Sequence, residues 1–330
     1  NMQVEVYQTS SNGDKLSLIT QDNTATKANM VVEIDADKTF QSITGFGGAF
    51  TESSAYLLNQ LSNANRKEIL EAYFGDTGAR YSLTRTHINS CDFSLGHYSY
   101  DSVPGDTLLE HFSIDEDRDD IIPMIKEAKE LSAEGFKIVA SPWTAPPWMK
   151  DNNEWHGGKL RKDMYASWAL FFSKYLKAYA NEGIDIWGVT VENEPLGNGA
   201  NWESMHFTPE EMADFVKHYL GPQLASDSSE VEVLVYDQNR GEELEEWAEV
   251  LLNDEELSPY IYGTAVHWYT GTVDWFPESL NFTHELAPEK HSPVRVEFLF
   301  YFYLITDVIV SHTLQLHCYL YLNRNHKHVQ

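Results

Sequence analysis

From residue 42 to residue 268 the chain keeps one rhythm: a short apolar run, a loop, an amphipathic segment, then the next apolar run. The apolar runs fall at 43–50, 81–87, 136–141, 187–192, 231–237 and 263–268. The helical segments fall at 63–74, 115–133, 163–181, 209–220 and 242–252. Strands that alternate with helices in this way run parallel, because a crossover helix returns the chain to the edge it left. The fourth helix carries its own start signal: Thr208 as N-cap, Pro209 at the first helical position and Glu211 three residues after the cap.

A parallel sheet either stays open and doubly wound or closes into a barrel. An open dinucleotide-binding sheet places a glycine-rich turn directly between its first strand and helix. Here Gly45-Phe46-Gly47-Gly48 fits that spacing poorly, and Phe50-Thr51-Glu52-Ser53 follows before any helical pattern. The candidate strands instead end in polar or aromatic residues: Arg85 and His87, Trp143, Asn193 and Glu194, Asp237, His267 and Tyr269. Chemistry spread over the C-terminal ends of many strands is how barrel enzymes are built. The pattern therefore predicts an α/β fold of (β/α)8 TIM-barrel type. The first 40 residues differ, alternating apolar and polar at 4–7, 16–19 and 30–34 around the turn formers Asn12, Gly13 and Asp14. They predict short antiparallel strands of a small side sheet.

Composition narrows the partners. The 330 residues hold 51 Asp+Glu against 23 Lys+Arg, a net charge of −28. A surface that negative repels phosphate backbones and anionic headgroups, which argues against nucleic acid and acidic membranes. Nine Trp, 18 Tyr and 16 Phe argue against a disordered acidic chain. Cys91 and Cys318 cannot make a disulfide framework, and Cys91 reads as a small buried filler. The opening residues lack the basic start and apolar core of a signal peptide, as a mature or trimmed N-terminus would.

Four segments carry candidate chemistry. In Val189-Thr190-Val191-Glu192-Asn193-Glu194-Pro195 an apolar strand runs into two acids and is stopped by proline. A strand-end carboxylate shielded by apolar neighbours has a raised pKa and donates a proton near neutral pH; the other reading is a solvated surface turn. Arg85 and Asp92 lie on and just beyond a strand, either as a structural ion pair or as a carboxylate clamp and a hydroxyl acceptor. Trp143 and Trp148 sit on a proline-stiffened loop, as core or as an indole face for the C–H side of a pyranose. His267 and Tyr269 end the sixth strand, as packed rim or as a polar wall beside a carboxylate. No second His or Cys stands at ligand spacing from His267, so no metal is expected. Neither a nucleophile elbow nor a phosphate loop is present.

Together these segments resemble glycoside hydrolase family 30, of glucosylceramidase (acid β-glucosidase) type. The residues that carry the resemblance are 45–52, 85–93, 140–149, 191–195, Asp237-Gln238 and 265–269, in family order within about residues 30–291. The resemblance implies a barrel with an attached β-sandwich and retaining hydrolysis of a β-glucosidic bond in glucosylceramide or a similar glycoside or glycolipid. It implies no metal and no organic cofactor. By position Glu194 matches the acid/base and Asn193 the residue that bonds the sugar 2-OH. Asp92 and Trp143 match residues holding glucose hydroxyls, and Arg85, His267 and Tyr269 match the shell around the nucleophile. Family members are lysosomal in animals and exported in bacteria, so an exported protein is expected, or a lysosomal one if the source is an animal. Xylan or β-1,6-glucan cleavage, and sugar binding without catalysis, stay open.

The pattern stops at residue 292. Residues 292–330 hold two acids, three bases and no Gly, Ala or Trp, while the first 291 hold 49 acids against 20 bases. The family's nucleophile lies in an Ala-Thr-Glu-Ala motif of the seventh strand, and here Ser292-Pro293-Val294-Arg295-Val296-Glu297 stands in its place. The expected organisation is 1–40 as sandwich strands, 41–291 as six barrel strands, and 292–330 as a foreign hydrophobic tail replacing the last two strands and most of the sandwich. Its apolar run is shorter than the roughly 20 residues a membrane helix needs. The nucleophile is expected to be absent, with Glu297, after Val294-Arg295-Val296, imitating a strand-end carboxylate as a substitute. The chain is expected to be poorly folded or inactive, although its full-length parent is an enzyme.

Overall fold

The computed structural model describes residues 6–15, 17–19, 42–197, 201–270 and 276–294. They fall in two compact units that meet between Ile43 and Thr44 in sequence. In the first, β1 (Val6–Gln8) pairs antiparallel with β2 (Ser17–Ile19), Val6 opposite Ile19. Gly13 turns the connection at φ 104°, and Asp14 locks it by accepting hydrogen bonds from Gln8 and Ser10. The expected strand at 30–34 lies outside the described residues, as do Glu297 and the rest of the tail.

The second unit runs β3 (Ala49–Phe50), α1 (Glu52–Asn59), α2 (Asn63–Phe74), β4 (Leu83–Ile88), α3 (Asp115–Arg118), α4 (Ile121–Leu131), β5 (Lys137–Pro142) and α5 (Tyr165–Asn181). It continues with β6 (Gly188–Thr190), α6 (Pro209–Phe215), α7 (Gly221–Ser226), β7 (Glu232–Asn239), α8 (Glu242–Leu252), β8 (Gly263–His267), α9 (Pro277–Leu286) and β9 (His291–Val294). Strands β3 to β9 form one seven-stranded sheet in sequence order, every pair parallel. A doubly wound sheet reverses its order at a switch point, whereas unbroken sequence order is the wall of a TIM barrel.

All six expected barrel strands are present, and β9 adds a seventh that reaches past residue 291. Pro293 has no N–H to donate, and among the described residues β9 pairs with β8 alone, the outer position proline tolerates. The first strand is shorter than expected. Residues 45–48 pack closely on β4, with the Ser82 N–H donating to the Phe46 carbonyl at 2.8 Å and the Arg85 N–H to the Gly48 carbonyl at 3.1 Å. A Cβ on Gly47 would lie 1.8 Å from the Leu83 carbonyl oxygen, and one on Gly45 2.7 Å from Ser82 Oγ. The glycines thus serve packing.

The expected helix at 115–133 breaks at Asp120, whose carboxylate accepts the Ile121 N–H at 2.5 Å and starts α4 afresh. Thr208 and Glu211 form the expected capping box of α6. Beyond it, residues 216–220 widen into a π turn ahead of Pro222, which cannot continue a regular helical ladder. Inward-facing Trp168, Phe171, Phe172, Tyr175 and Tyr179 of α5 are fully buried, at about 2 kcal/mol each. At the end of that stripe Asp117 accepts hydrogen bonds from the hydroxyls of Tyr98, Tyr100 and Tyr179 at 3.0, 2.6 and 2.5 Å. Burial nevertheless pushes its carboxyl up to about 7.

Candidate active site

The C-terminal ends of β4 to β8 converge on Asp237 of β7, which has no exposed surface. Its Oδ2 accepts from Arg85 Nη2 and Thr190 Oγ1, both at 2.6 Å, and its Oδ1 lies 2.9 Å from His267 Nε2. A bulge between Tyr236 and Gln238 aims it there, with Tyr236 and Asp237 at φ 74° and 52°. Non-glycine residues hold such values where surrounding contacts impose them. Burial alone would raise the Asp237 pKa. The Arg85 guanidinium, then His267 and Thr190, outweigh burial and hold it below the ordinary carboxylate value.

Arg85 ties four strands together. Beyond Asp237 its Nε donates to Ser141 Oγ of β5 at 2.9 Å and its Nη2 to Asn193 Oδ1 at 3.0 Å, just past β6. The guanidinium carbon lies 4.8 Å from the centroid of the Trp143 ring, which orients that half-buried indole. Asn193 is buried, its N–H donating to the Pro142 carbonyl at 2.7 Å.

Glu194 follows in left-handed backbone, φ 52°, with its N–H donating to the Asp237 carbonyl at 2.9 Å. Its side chain is 21% exposed and its Oε1 lies 3.1 Å from His267 Nδ1. The apolar shield expected around Glu194 is therefore absent; its partner is an imidazole, because the left-handed turn aims the side chain at β8. His267 has a carboxylate on each ring nitrogen. Burial opposes its charge, but the hydrogen bonds to Asp237 and Glu194 prevail and raise its pKa.

Asp92 stands in the loop after β4. The residue is exposed overall, yet desolvation of its carboxyl, then the Glu194 charge, raise it to about 6. Tyr269, 58% exposed, meets the His267 ring edge-on at 5.9 Å. The structure thus brings together Arg85, Asp92, Trp143, Asn193, Glu194, His267 and Tyr269. Trp148 belongs to the core instead, buried with its N–H on the Asp101 carbonyl. Cys91 is buried, its thiol pushed up by desolvation, as an inert filler would be. His87 is structural: Nε2 accepts the Glu52 N–H, so Nδ1 donates to the Asn89 carbonyl, and burial lowers it to about 4. The sequence reading missed Asp237 as the hub, together with Ser141 and Thr190. An apolar strand ending in an acid was the signal at Asp237, as it was at Glu194. Among the described residues no three His, Cys, Asp or Glu side chains could hold a metal ion.

Residues 43–292 match the glycosyl hydrolase family 30 TIM-barrel domain. The chain belongs to this family. It is 40% identical over 279 residues to putative glucosylceramidase 3 of Caenorhabditis elegans and 38% identical over 272 residues to lysosomal acid glucosylceramidase of Mus musculus. Each alignment covers 80% of this chain and 53% of the relative. The chain thus spans about half the length of the curated relatives it matches. Among solved structures, SrfJ from Salmonella typhimurium superposes with TM-score 0.77 at 33% identity, over 84% of this chain and 62% of that one. An endo-β-1,6-glucanase superposes with TM-score 0.71 at 34% identity, over 78% and 57%.

Proposed function

We propose that this family 30 barrel is a retaining β-glucosidase acting on glucosylceramide or a similar β-glucoside, with Glu194 as its acid/base. The observation that carries the reading is the relay from Glu194 through His267 and Asp237 to Arg85, which fixes one carboxyl at the rim where β6 ends. Glu194 protonates the glycosidic oxygen as a second carboxylate attacks the anomeric carbon, then takes a proton from water as the glycosyl-enzyme is hydrolysed. Asn193 bonds the sugar 2-OH, Asp92 and Trp143 hold the remaining hydroxyls and the ring, and Tyr269 lines the wall beside His267.

Retention requires the two carboxyls about 5–5.5 Å apart. Asp237 is too enclosed to attack, and β9 contributes no acid. Among the described residues none supplies the second carboxylate; Glu297, three residues beyond β9 in the sequence, is the substitute to be tested. The test is an aryl β-glucoside reporter with a cyclitol epoxide that labels the nucleophile. Turnover that the epoxide abolishes, with mass spectrometry locating the label on Glu297, would show that the chain supplies its own nucleophile; no turnover and no label is the result expected if the second carboxylate is missing. Glucose bound without turnover supports instead a sugar-binding relic, which the missing acid in β9 favours.

The β-1,6-glucanase likeness makes a glucan the alternative substrate, with xylan behind it, and a substrate panel decides among them. Partners are limited to the glycoside or glycolipid. Among the described residues no helix is long and apolar enough to cross a membrane. Export, or a lysosomal location as in the mouse relative's name, follows from the same reading.

A further inference from the structure

The 330 residues contain one Asn-x-Ser/Thr triplet, Asn281-Phe282-Thr283, and it falls inside α9. Such a triplet is the acceptor pattern for an N-linked oligosaccharide, and the reaction above uses none of its residues. Helix α9 packs against α8 and β9. Its buried side carries Ser279 and Thr283, one turn apart and 3% and 0% exposed. Asn281 lies on the other side, exposed together with Glu278, His284 and Glu285.

The fold therefore separates the two halves of the acceptor. Each helical residue turns the chain by about 100°, so side chains two positions apart point about 200° from each other. The Thr283 hydroxyl is also spent: its Oγ1 donates to the Ser279 carbonyl at 2.8 Å. In an extended segment the same two side chains lie on one side of the chain, about 6.6 Å apart. An enzyme that grips the amide and the hydroxyl together can do so on the extended chain and not on the helix.

We propose that Asn281 is an N-glycosylation site that is filled before α9 forms and is closed once the barrel has folded. The Asn281 side-chain nitrogen bonds to the anomeric carbon of an oligosaccharide carried on a polyprenyl diphosphate. The sugar–phosphate bond breaks, the diphosphate leaves with its electron pair, and one amide proton passes to a carboxylate of the transferase. On the folded protein the glycan stands on the exposed side of α9, where a bulky hydrophilic group leaves the buried side untouched. The proposal rests on the exported reading, since the glycan donor and its transferase belong to the secretory route.

The test expresses the full chain behind a cleavable signal sequence in eukaryotic cells, which delivers it to the secretory lumen whatever its natural destination. The protein is expected to gain the mass of one oligosaccharide, which peptide N-glycosidase removes, leaving an aspartate where the asparagine stood. Asn281→Gln and Thr283→Val each lose the shift, and Thr283→Ser keeps it. Asn281 is exposed, so Asn281→Gln keeps the unfolding temperature, which serves as the folding control. For the timing, the folded chain made in bacteria and its tryptic digest are each given to purified transferase with lipid-linked oligosaccharide. The digest is expected to be modified at Asn281 and the folded chain to stay bare. No shift in cells, or a shift that survives Asn281→Gln, overturns the site; modification of the folded chain as fast as the digest overturns its closure on folding. A glycan on the signal-borne chain with none on the protein from its own cells overturns the exported reading, and with it the natural use of the site.

Discussion

Arg85 is the residue on which the site's geometry turns, since Asp237, Asn193 and Ser141 all depend on its guanidinium. Arg85→Met leaves Asp237 buried without its main counter-charge, and should lower unfolding free energy in urea by about 3–5 kcal/mol. Adding Asp237→Asn should recover part of that loss, because the uncompensated charge goes with it. Asp237 has a depressed pKa, so its contribution to stability is complete above about pH 4 and is lost as pH falls through the folded value. Asp92 has the opposite sign. Its pKa of about 6 means that its carboxylate, the form that accepts sugar hydroxyls, fills as pH rises from 5 to 7. Glucose affinity measured by titration should rise across that window, and Asp92→Asn should flatten the dependence; a slope that survives the substitution places another group in the role.

At the scale of elements, the glycine-rich entry to β3 shows what a spacing pattern can and cannot say. Gly45, Gly47 and Gly48 are plain in the sequence, but the reason for Gly47 is the Leu83 carbonyl, which lies 1.8 Å from where its Cβ would stand, while a Cβ on Gly45 would meet Ser82 Oγ at 2.7 Å. Gly47→Ala must push β4 away from that segment. Overpacking of this kind costs about 1–3 kcal/mol or more, visible as a lower unfolding temperature with a normal helix signal. Thr208→Ala removes one half of the capping box on α6 and should cost about 1 kcal/mol in the same assay. That cap was legible because its partners are three residues apart. The break at Asp120 and the π turn before Pro222 were not, because side-chain capping and a missing donor act against a helical pattern that runs straight through them.

Over the whole molecule, the βα alternation implied a parallel sheet and the polar strand ends chose a barrel, and each strand does pair with the next with none reversing. Strand-end chemistry was legible for the same reason: Glu194 and His267 close apolar runs. What one sequence could not carry was the convergence of Asp237, Ser141 and Thr190, which are up to 96 residues apart along the chain and meet only once the wall curves. The seventh strand was missed because Pro293 masks its pattern. Buried Asp117 sets a global pH response. Its folded pKa near 7 exceeds the unfolded value of about 3.9, so its unfavourable charge appears as pH rises through that range and stability falls. Asp117→Asn should shrink the loss of unfolding temperature between pH 5 and pH 8; an unchanged loss would assign that response elsewhere.

The most direct measurement of the central claim is turnover of two β-glucosides that differ only in leaving group, by the chain and by Glu194→Gln. An alkyl glucoside needs a proton on its departing oxygen, and the substitution should slow it by about 10²–10⁴. A dinitrophenyl glucoside needs none, and glycosylation of the protein by that substrate should proceed almost as before. Equal losses of the glycosylation rate on both substrates, read from the first release of the leaving group, would contradict Glu194 as the proton donor.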